Sequence, residues 1–177
     1  MSGIIYAGIG ARKTPSDVCT KMRNAAKAMA NLGFTLRSGG AEGADIAFEE
    51  GHDLGDVSGD HKEIFLPYKG FRKNDSPNFT VTREARLVAK EFHPYWANLG
   101  CLGRDFMGRN AYQILGLDLK TPCHFVLCWT PDGKASGGTG QAIRHANSLE
   151  IPVLNFKTHS DDEISDFIFA INERLSP

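Results

Sequence analysis

Residues 128–143 read CWTPDGKASGGTGQAI, and the order of residue types in this stretch decides the fold. An apolar run from His124 to Trp129 predicts a buried strand, which a polar, glycine-rich loop follows. Residues 140–148 then have the spacing of a helix. Glycines between a strand end and a helix start let backbone N–H groups converge on an anion, and the helix dipole adds favourable potential. The stretch therefore predicts a turn that holds a phosphate without a lysine.

The same succession of strand, glycine turn and helix occurs elsewhere in the chain. Further strands are predicted at 4–7, 34–36, 64–66 and 152–156, and further helices at 15–32, 42–52, 82–91, 103–117 and 160–175. Strands that alternate with helices predict a Rossmann-like three-layer α/β sandwich with a mainly parallel sheet, formed as a single domain over residues 1–177. We expect the ligand outside the carboxyl ends of the strands, at the switch in strand order, with three glycine turns opening there.

The composition limits the function classes. Hydrophobic residues make up 41% and charged residues 23%, which is typical of a globular chain, and a net charge of −1 leaves no global footprint for duplex nucleic acid. The four cysteines and six histidines lack metal-ligand spacing, so we expect buried thiols in a reducing cytosol and no metal. No long apolar span is present, and we expect a cytoplasmic protein without a membrane segment or a cofactor.

The first glycine turn follows the first predicted strand. Its candidate ligand-binding residues are Gly8, Gly10, Ala11 and Arg12. Lys13 stands where the third glycine of a dinucleotide fingerprint would be, so the pattern is also that of a plain strand-to-helix turn. Arg12 favours the phosphate interpretation because its planar guanidinium suits a phosphate group.

The second glycine turn combines glycines with acids. Its candidate binding residues are Ser38, Gly39, Gly40, Glu42 and Asp45. Acids in the first turn of a helix complement the helix dipole, and beside an anion site they also accept hydrogen bonds from a ribose or a base. Glu49 lies one helical turn after Asp45, and Glu42, Asp45 and Glu49 are the candidate catalytic acids or bases at a glycosidic carbon.

The third glycine turn and one helix complete the predicted site. The third turn supplies Gly137, Gly138, Thr139 and Gly140, and no P-loop NTPase motif is present. Arg109 and Asn110 lie in a predicted helix, where an arginine is either solvated or directed to the sheet edge as a phosphate clamp. His93, Tyr95 and Trp96 are either a stacking surface for a base or a hydrophobic lid over the core.

Read together, these turns resemble the SLOG superfamily, which joins the DprA/Smf proteins to the Lonely Guy phosphoribohydrolases. The segment 38–45, SGGAEGAD, is similar to the DprA stretch, Arg109-Asn110 to the Arg-Asn pair of the group, and Gly137-Gly138-Thr139-Gly140 to the phosphate loop of Lonely Guy enzymes. The resemblance covers about residues 4–156. Small DprA-like proteins of this size also occur in phages. The resemblance therefore implies a small stand-alone member of the superfamily, which a phage could encode.

Three functions follow from the turns and the resemblance. The first is binding of a nucleotide or a nucleotide-derived, ADP-ribose-like small molecule for sensing, sequestration or processing. The second is nucleotide N-glycosidase or phosphoribohydrolase activity of the Lonely Guy type. The third is DprA-like binding of single-stranded DNA, for which the candidate cations are Arg12, Arg37, Lys69, Arg72 and Lys73. We also expect a homo-oligomer, with the apolar residues of 88–99 as a candidate interface.

Overall fold

The sheet has five parallel strands. The structure, a computed structural model, describes residues 3–175. Its strands are β1 (Ile5–Gly10), β2 (Thr35–Ser38), β3 (Lys62–Ile64), β4 (Phe125–Trp129) and β5 (Val153–Asn155). They pair in the order β3-β2-β1-β4-β5, with every pair parallel. The fold is α/β and Rossmann-like, as predicted.

Helices cover both faces of the sheet. They are α1 (Ser16–Asn31), α2 (Ala44–Gly55), α3 (Arg83–Glu91), α4 (Cys101–Leu115), α5 (Gly137–Ser148) and α6 (Asp161–Leu175). Successive side chains of β1 point to opposite faces of the sheet, so the core cluster of each residue shows which helices cover its face. Tyr6 belongs to the core cluster that includes α1, α2 and α6, whereas Ile5, Ala7 and Ile9 belong to the cluster with α4 and α5. Helix α3 packs mainly on α4. The three layers predicted from the sequence are therefore present.

The strand order places a crevice at one position. Beyond β1 the chain continues with β2 and β3 on one side, and it returns with β4 and β5 on the other. The pairing of Gly10 with Trp129 brings the carboxyl ends of β1 and β4 to the same level. Parallel sheets open a ligand crevice at this switch point, because the connections leave the two strands in opposite directions.

Several element boundaries differ from the predictions for local reasons. Helix α2 begins at Ala44 rather than residue 42, since Gly43 has φ +80° and ends the preceding loop. Helix α5 begins at Gly137, three residues before its predicted start, and β3 lies at 62–64 instead of 64–66. Among the described residues, no side chain caps the start of α1, and the Oγ1 of the nearby Thr14 donates to the carbonyl of Ala11.

The last helix begins as the sequence predicts. The N–H of Glu163 donates to Ser160 Oγ at 3.2 Å, and the N–H of Ser160 donates to Glu163 Oε2 at 2.7 Å, which is a capping box. All four cysteines are free, but Cys101 is exposed, so the prediction of buried thiols was wrong for that residue. Among residues 3–175, no helix has the length and apolar character that crossing a membrane requires.

Candidate functional site

A cavity of about 610 Å³ lies at the switch between β1 and β4. The carboxyl end of β1, the start of α2, one side of α4 and the first turn of α5 form its walls. Its lining residues are Ile9, Gly10, Ala11, Arg12, Lys13, Ala41, Asp45, Leu99, Gly103, Phe106, Met107, Arg109, Asn110, Gln113, Pro131, Ser136, Gly137, Gly138, Thr139 and Ala142. The site thus lies where the strand order predicts a ligand crevice.

The third glycine turn presents an open helix N-terminus to this cavity. Gly137, Gly138 and Thr139 occupy the first positions of α5 and line the cavity. Within the described residues their N–H groups donate no hydrogen bond, since the first helical bond runs from Gly140 to the carbonyl of Ser136. The Ser136 side chain does not cap them, because its Oγ donates to Asp132 Oδ1 at 2.7 Å. Three backbone donors therefore remain for an anion.

Gly140 has a packing role instead. A Cβ atom at this position would overlap the carbonyl group of Ala135. Gly140 is buried and does not line the cavity. Of the four candidates in the third turn, three face the cavity and one lets the loop pack against its own helix.

The first turn contributes Gly10, Ala11 and Arg12 to the cavity wall. The N–H of Ala11 donates to the carbonyl of Trp129 at 3.1 Å, which ties the turn to the end of β4. Arg12 is exposed, and its guanidinium carbon lies 5.3 Å from the centroid of the Phe106 ring. Gly8 lies outside the cavity, because a Cβ there would come within 2.6 Å of Phe48 Cγ. The close approach at Gly8 is thus that of α2 and not of a ligand.

The glycines of the second turn do not open onto the cavity, contrary to expectation. Ser38 Oγ donates to the carbonyl of Gly8 at 2.7 Å and is buried. The carbonyl of Gly39 accepts from Arg109 Nη1, and a Cβ at Gly39 would overlap that guanidinium. Gly40 has φ +64° and lies next to Leu66 and Asn74. The turn reaches the cavity only through Ala41 and Asp45.

The three candidate acids are separated by the fold. Glu42 is exposed and paired with Arg72, and it lies before α2 rather than in its first turn. Glu49 accepts from Lys62 Nζ at 3.3 Å and from Asn74 Nδ2, outside the cavity. Asp45 alone among the three lines the cavity, and it is 3% exposed. Only Asp45 is therefore placed to contact a ligand there.

Burial dominates the electrostatics of Asp45. Loss of solvation raises the pKa of its carboxyl to about 6, against the opposing effect of Arg109, whose Nη1 lies 3.8 Å from Oδ2. The N–H of Ala41 donates to the same Oδ2 at 3.3 Å. Loss of solvation likewise lowers the pKa of the Arg109 guanidinium, which nonetheless stays charged near neutral pH. At neutral pH most Asp45 carboxyls are ionised, and a modest fall in pH protonates them.

Arg109 belongs to the floor of the cavity and is not a solvated helix residue. It is 6% exposed, and its Nε is buried without a hydrogen-bond partner among residues 3–175. Its neighbour Asn110 donates from Nδ2 to the carbonyl of Gly138 at 3.2 Å and to Gln141 Oε1 at 3.1 Å. The Arg-Asn pair of α4 is thus attached to the second turn through Gly39 and to the third turn through Gly138.

The apolar wall comes from residues to which the sequence assigned no ligand-binding role. His93, Tyr95 and Trp96 do not line the cavity, so their suggested role as a stacking surface is not supported at this site. Leu99, Phe106 and Met107 line it instead. Phe106 stands next to Met107 within a helix and resembles a core residue in sequence. Its spacing of three residues from Arg109 is the signal that places both on one helix face.

Comparison with solved structures gives a likeness to a DprA-type protein. DNA processing protein A from Helicobacter pylori, which has been described with a single-stranded DNA binding mode, matches with a TM-score of 0.63 and 17% sequence identity. The match covers 98% of this chain and 82% of that one. No protein-family model and no curated protein matches the sequence. At this identity the likeness shows a DprA-like Rossmann fold and nothing finer.

Proposed function

We propose that the cavity binds the phosphate of a nucleotide or of a nucleotide-derived small molecule, such as an ADP-ribose-like ligand. The observation that carries the proposal is the convergence of unused donors on one space. Gly137, Gly138 and Thr139, whose N–H groups donate no hydrogen bond within residues 3–175, line the same cavity as Arg109. Backbone N–H groups at a helix N-terminus have no intrahelical partner, and an anion that binds them also interacts favourably with the helix dipole.

The charges around the cavity favour an anion. Arg12, Lys13 and Arg109 line it, opposed by the single carboxylate of Asp45, although the whole chain carries a net charge of −1. Arg12 and Arg109 both lie over the Phe106 ring, at 5.3 and 5.7 Å from its centroid. Two guanidiniums that share one ring beside an open helix N-terminus form a focused positive site.

The apolar side chains beside these cations suit the rest of a nucleotide. Leu99, Phe106 and Met107 supply an apolar surface, and a volume of about 610 Å³ lies within the range of about 300–1,000 Å³ that small-molecule sites occupy. An anion site beside an apolar wall matches a ligand with a phosphate at one end and a base at the other. We therefore extend the SLOG-type interpretation of the sequence to this site.

Substitution of Gly138 by valine tests the proposal. A Cβ at Gly138 would meet only Met107 Cε, at the ordinary distance of 3.4 Å, so Gly138→Val should fold. Its branched side chain would screen the N–H groups of the turn, and we expect at least a tenfold loss of affinity for nucleoside mono- and diphosphates in calorimetry. Gly100→Val is the matched control, because a Cβ at Gly100 meets nothing within 4 Å and Gly100 lies outside the cavity. Unchanged affinity in folded Gly138→Val would exclude this turn from the site.

Single-stranded DNA is the second candidate ligand, favoured by the fold. The structurally similar DNA processing protein A has a single-stranded DNA binding mode, and Arg12 and Lys13 are exposed at the cavity mouth of this chain. Arg37 does not belong to the cationic set, since it is 3% exposed and donates to Glu63 and to the carbonyl of Thr121. In this alternative a backbone phosphate of the strand would occupy the same donors.

Turnover of a bound nucleotide would have to rely on Asp45. Burial raises the pKa of this carboxyl to about 6, which is the range that suits a general acid or base near neutral pH. Release of a free base from nucleoside monophosphates, absent in Asp45→Asn, would establish the N-glycosidase alternative.

Mass spectrometry of small molecules released from denatured protein identifies a ligand that is bound without turnover.

A further inference from the structure

A buried pair of amides joins α4 to the first turn of α5. Asn110 Nδ2 donates to the carbonyl of Gly138 at 3.2 Å and to Gln141 Oε1 at 3.1 Å. A carbonyl oxygen only accepts hydrogen bonds, so the atom of Asn110 that faces Gly138 must be the nitrogen. Both hydrogens of this nitrogen are therefore engaged. The remaining hydrogen-bonding atom of the Asn110 side chain is Oδ1.

Asn110 Oδ1 is an uncharged acceptor beside the donors of the third turn and of Arg109. Asn110 lines the cavity, and within residues 3–175 its Oδ1 has no hydrogen-bond partner and is not among the polar atoms sealed from solvent. The neighbouring turn presents N–H groups and Arg109 presents a guanidinium. A phosphate oxygen cannot bind Oδ1, because both atoms are acceptors. A hydroxyl or an amino group can.

Gln141 does not contact the cavity. It is 0% exposed and is absent from the lining, so it can influence a ligand only through Asn110. Its Nε2 is buried without a partner among the described residues, whereas its Oε1 accepts from Asn110. A buried amide with an unused donor stabilises the folded protein less than an apolar side chain of the same size would. The hydrogen bond to Asn110 is thus the interaction that distinguishes Gln141 from such an apolar residue.

We propose that Gln141 is a positioning residue that holds Asn110 with Oδ1 toward the cavity, where it selects a ligand bearing a hydroxyl close to its phosphate. The inference rests on the proposed phosphate site. Asn110 is bonded to Gly138, inside the phosphate turn itself, so the group that reaches Oδ1 lies near the phosphate. In a nucleotide that group is a sugar hydroxyl, whereas an amino group belongs to the more distant base.

Calorimetry with three probes tests the selection. Wild-type protein should bind adenosine 5′-monophosphate about three- to tenfold more tightly than its 2′,3′-dideoxy analogue, the preference expected from one hydrogen bond. Inosine 5′-monophosphate, which lacks the amino group, should bind like adenosine 5′-monophosphate. Gln141→Met removes the acceptor and should reduce the preference to about onefold. Gln141→Glu keeps an acceptor for Asn110 and should keep the preference, even if its charge weakens both nucleotides.

A second measurement needs no ligand. Exchange of the Asn110 side-chain amide hydrogens with water, followed by NMR, should be faster in Gln141→Met than in wild type or Gln141→Glu. Equal exchange in all three proteins, or an unchanged preference in Gln141→Met, would overturn the proposal. Should Gln141→Met not fold, Asn110→Ala must lose the same preference.

The possible failures are distinguishable. Equal binding of adenosine 5′-monophosphate and its dideoxy analogue to wild type would refute the hydroxyl selection and leave the phosphate site standing. Weaker binding of inosine 5′-monophosphate alone would assign Oδ1 to an amino group instead and overturn the inference. If wild type binds none of the nucleotides, the proposed function fails and the selection fails with it.

Discussion

At the scale of single residues, Asp45 has the most informative environment. Burial raises its pKa from 3.8 to about 6. Below pH 3.8 the carboxyl is protonated in both the folded and the unfolded protein, and its contribution to stability is complete. As the pH rises through 6, the folded state must ionise a buried group, so that contribution is lost, by roughly 3 kcal/mol in total. We expect Asp45→Asn to flatten the dependence of unfolding free energy on pH between about 4 and 6, as measured by urea denaturation.

Asp56 gives a control of opposite sign. Hydrogen bonds from Ser58 and from the N–H of His61 lower the pKa of its carboxyl. Its contribution to stability is therefore present above the ordinary pKa and is lost as the pH falls, so Asp56→Asn should destabilise the protein at neutral pH.

If Asp45→Asn leaves the slope of unfolding free energy against pH unchanged between about pH 4 and 6, the carboxyl of Asp45 is solvated in solution and the prediction is wrong.

Residue types in the sequence identified most of the polar cavity wall but not the role of each residue. Arg12, Asp45, Arg109 and the third turn were found because strand ends and helix starts are local signals. The second turn was misplaced because Arg109, 70 residues away along the chain, occupies the space beside Gly39. Gln141 carries no local signal, since an amide inside a helix is usual in any core, and Phe106 is marked only by its spacing of three residues from Arg109.

At the scale of elements, two glycines of β1 allow close contact with α2: Gly10 lies against Ala44, and Gly8 lies against Phe48. A Cβ at Gly8 would lie 2.6 Å from Phe48 Cγ, inside the tightly packed core. We expect Gly8→Ala to lower the unfolding free energy by about 1–3 kcal/mol, as overpacking does, without a direct effect on phosphate binding. Denaturant titration beside calorimetry separates the two effects.

Phe48→Leu tests the same contact from the side of α2. It removes the ring that a Cβ at Gly8 would meet, so the double variant should lose less stability than the sum of the two single variants. Additive losses would mean that Gly8 and Phe48 are not coupled. A large loss of nucleotide affinity in stable Gly8→Ala would return Gly8 to the binding residues that the sequence suggested.

At the scale of the whole molecule, the fold was predictable because several independent sequence signals indicate the same architecture. Apolar runs, glycine turns and helical spacing alternate along the chain, and a parallel sheet is the arrangement that accommodates such alternation. The strand order follows less directly from the sequence. It depends on the pairing of β1 with both β2 and β4, which are far apart along the chain. That pairing creates the switch point, and the cavity exists only because of it.

The same scale decides between a small nucleotide and single-stranded DNA. A strand would extend beyond the cavity over exposed cations, of which Lys69 and Lys73 are two that do not line it. If DNA binds, its affinity should fall steeply with salt. Lys69→Gln with Lys73→Gln should then weaken binding and reduce the salt slope by about one for each phosphate that a lysine no longer neutralises. A mononucleotide held by backbone N–H groups and buried Arg109 should be less salt-sensitive and unaffected by these substitutions.

Titration of an oligonucleotide and a mononucleotide across one salt series makes the comparison, with Lys27→Gln on α1 as the control for removing an exposed charge elsewhere. We expect weak oligonucleotide binding near physiological salt, because the net charge of −1 gives no general attraction for a polyanion. Tight oligonucleotide binding under those conditions, weakened at Lys69 and Lys73 but not at Lys27, would place single-stranded DNA first. In that case the donors of Gly137, Gly138 and Arg109 would hold a phosphate of the strand, and the cavity would anchor a longer ligand.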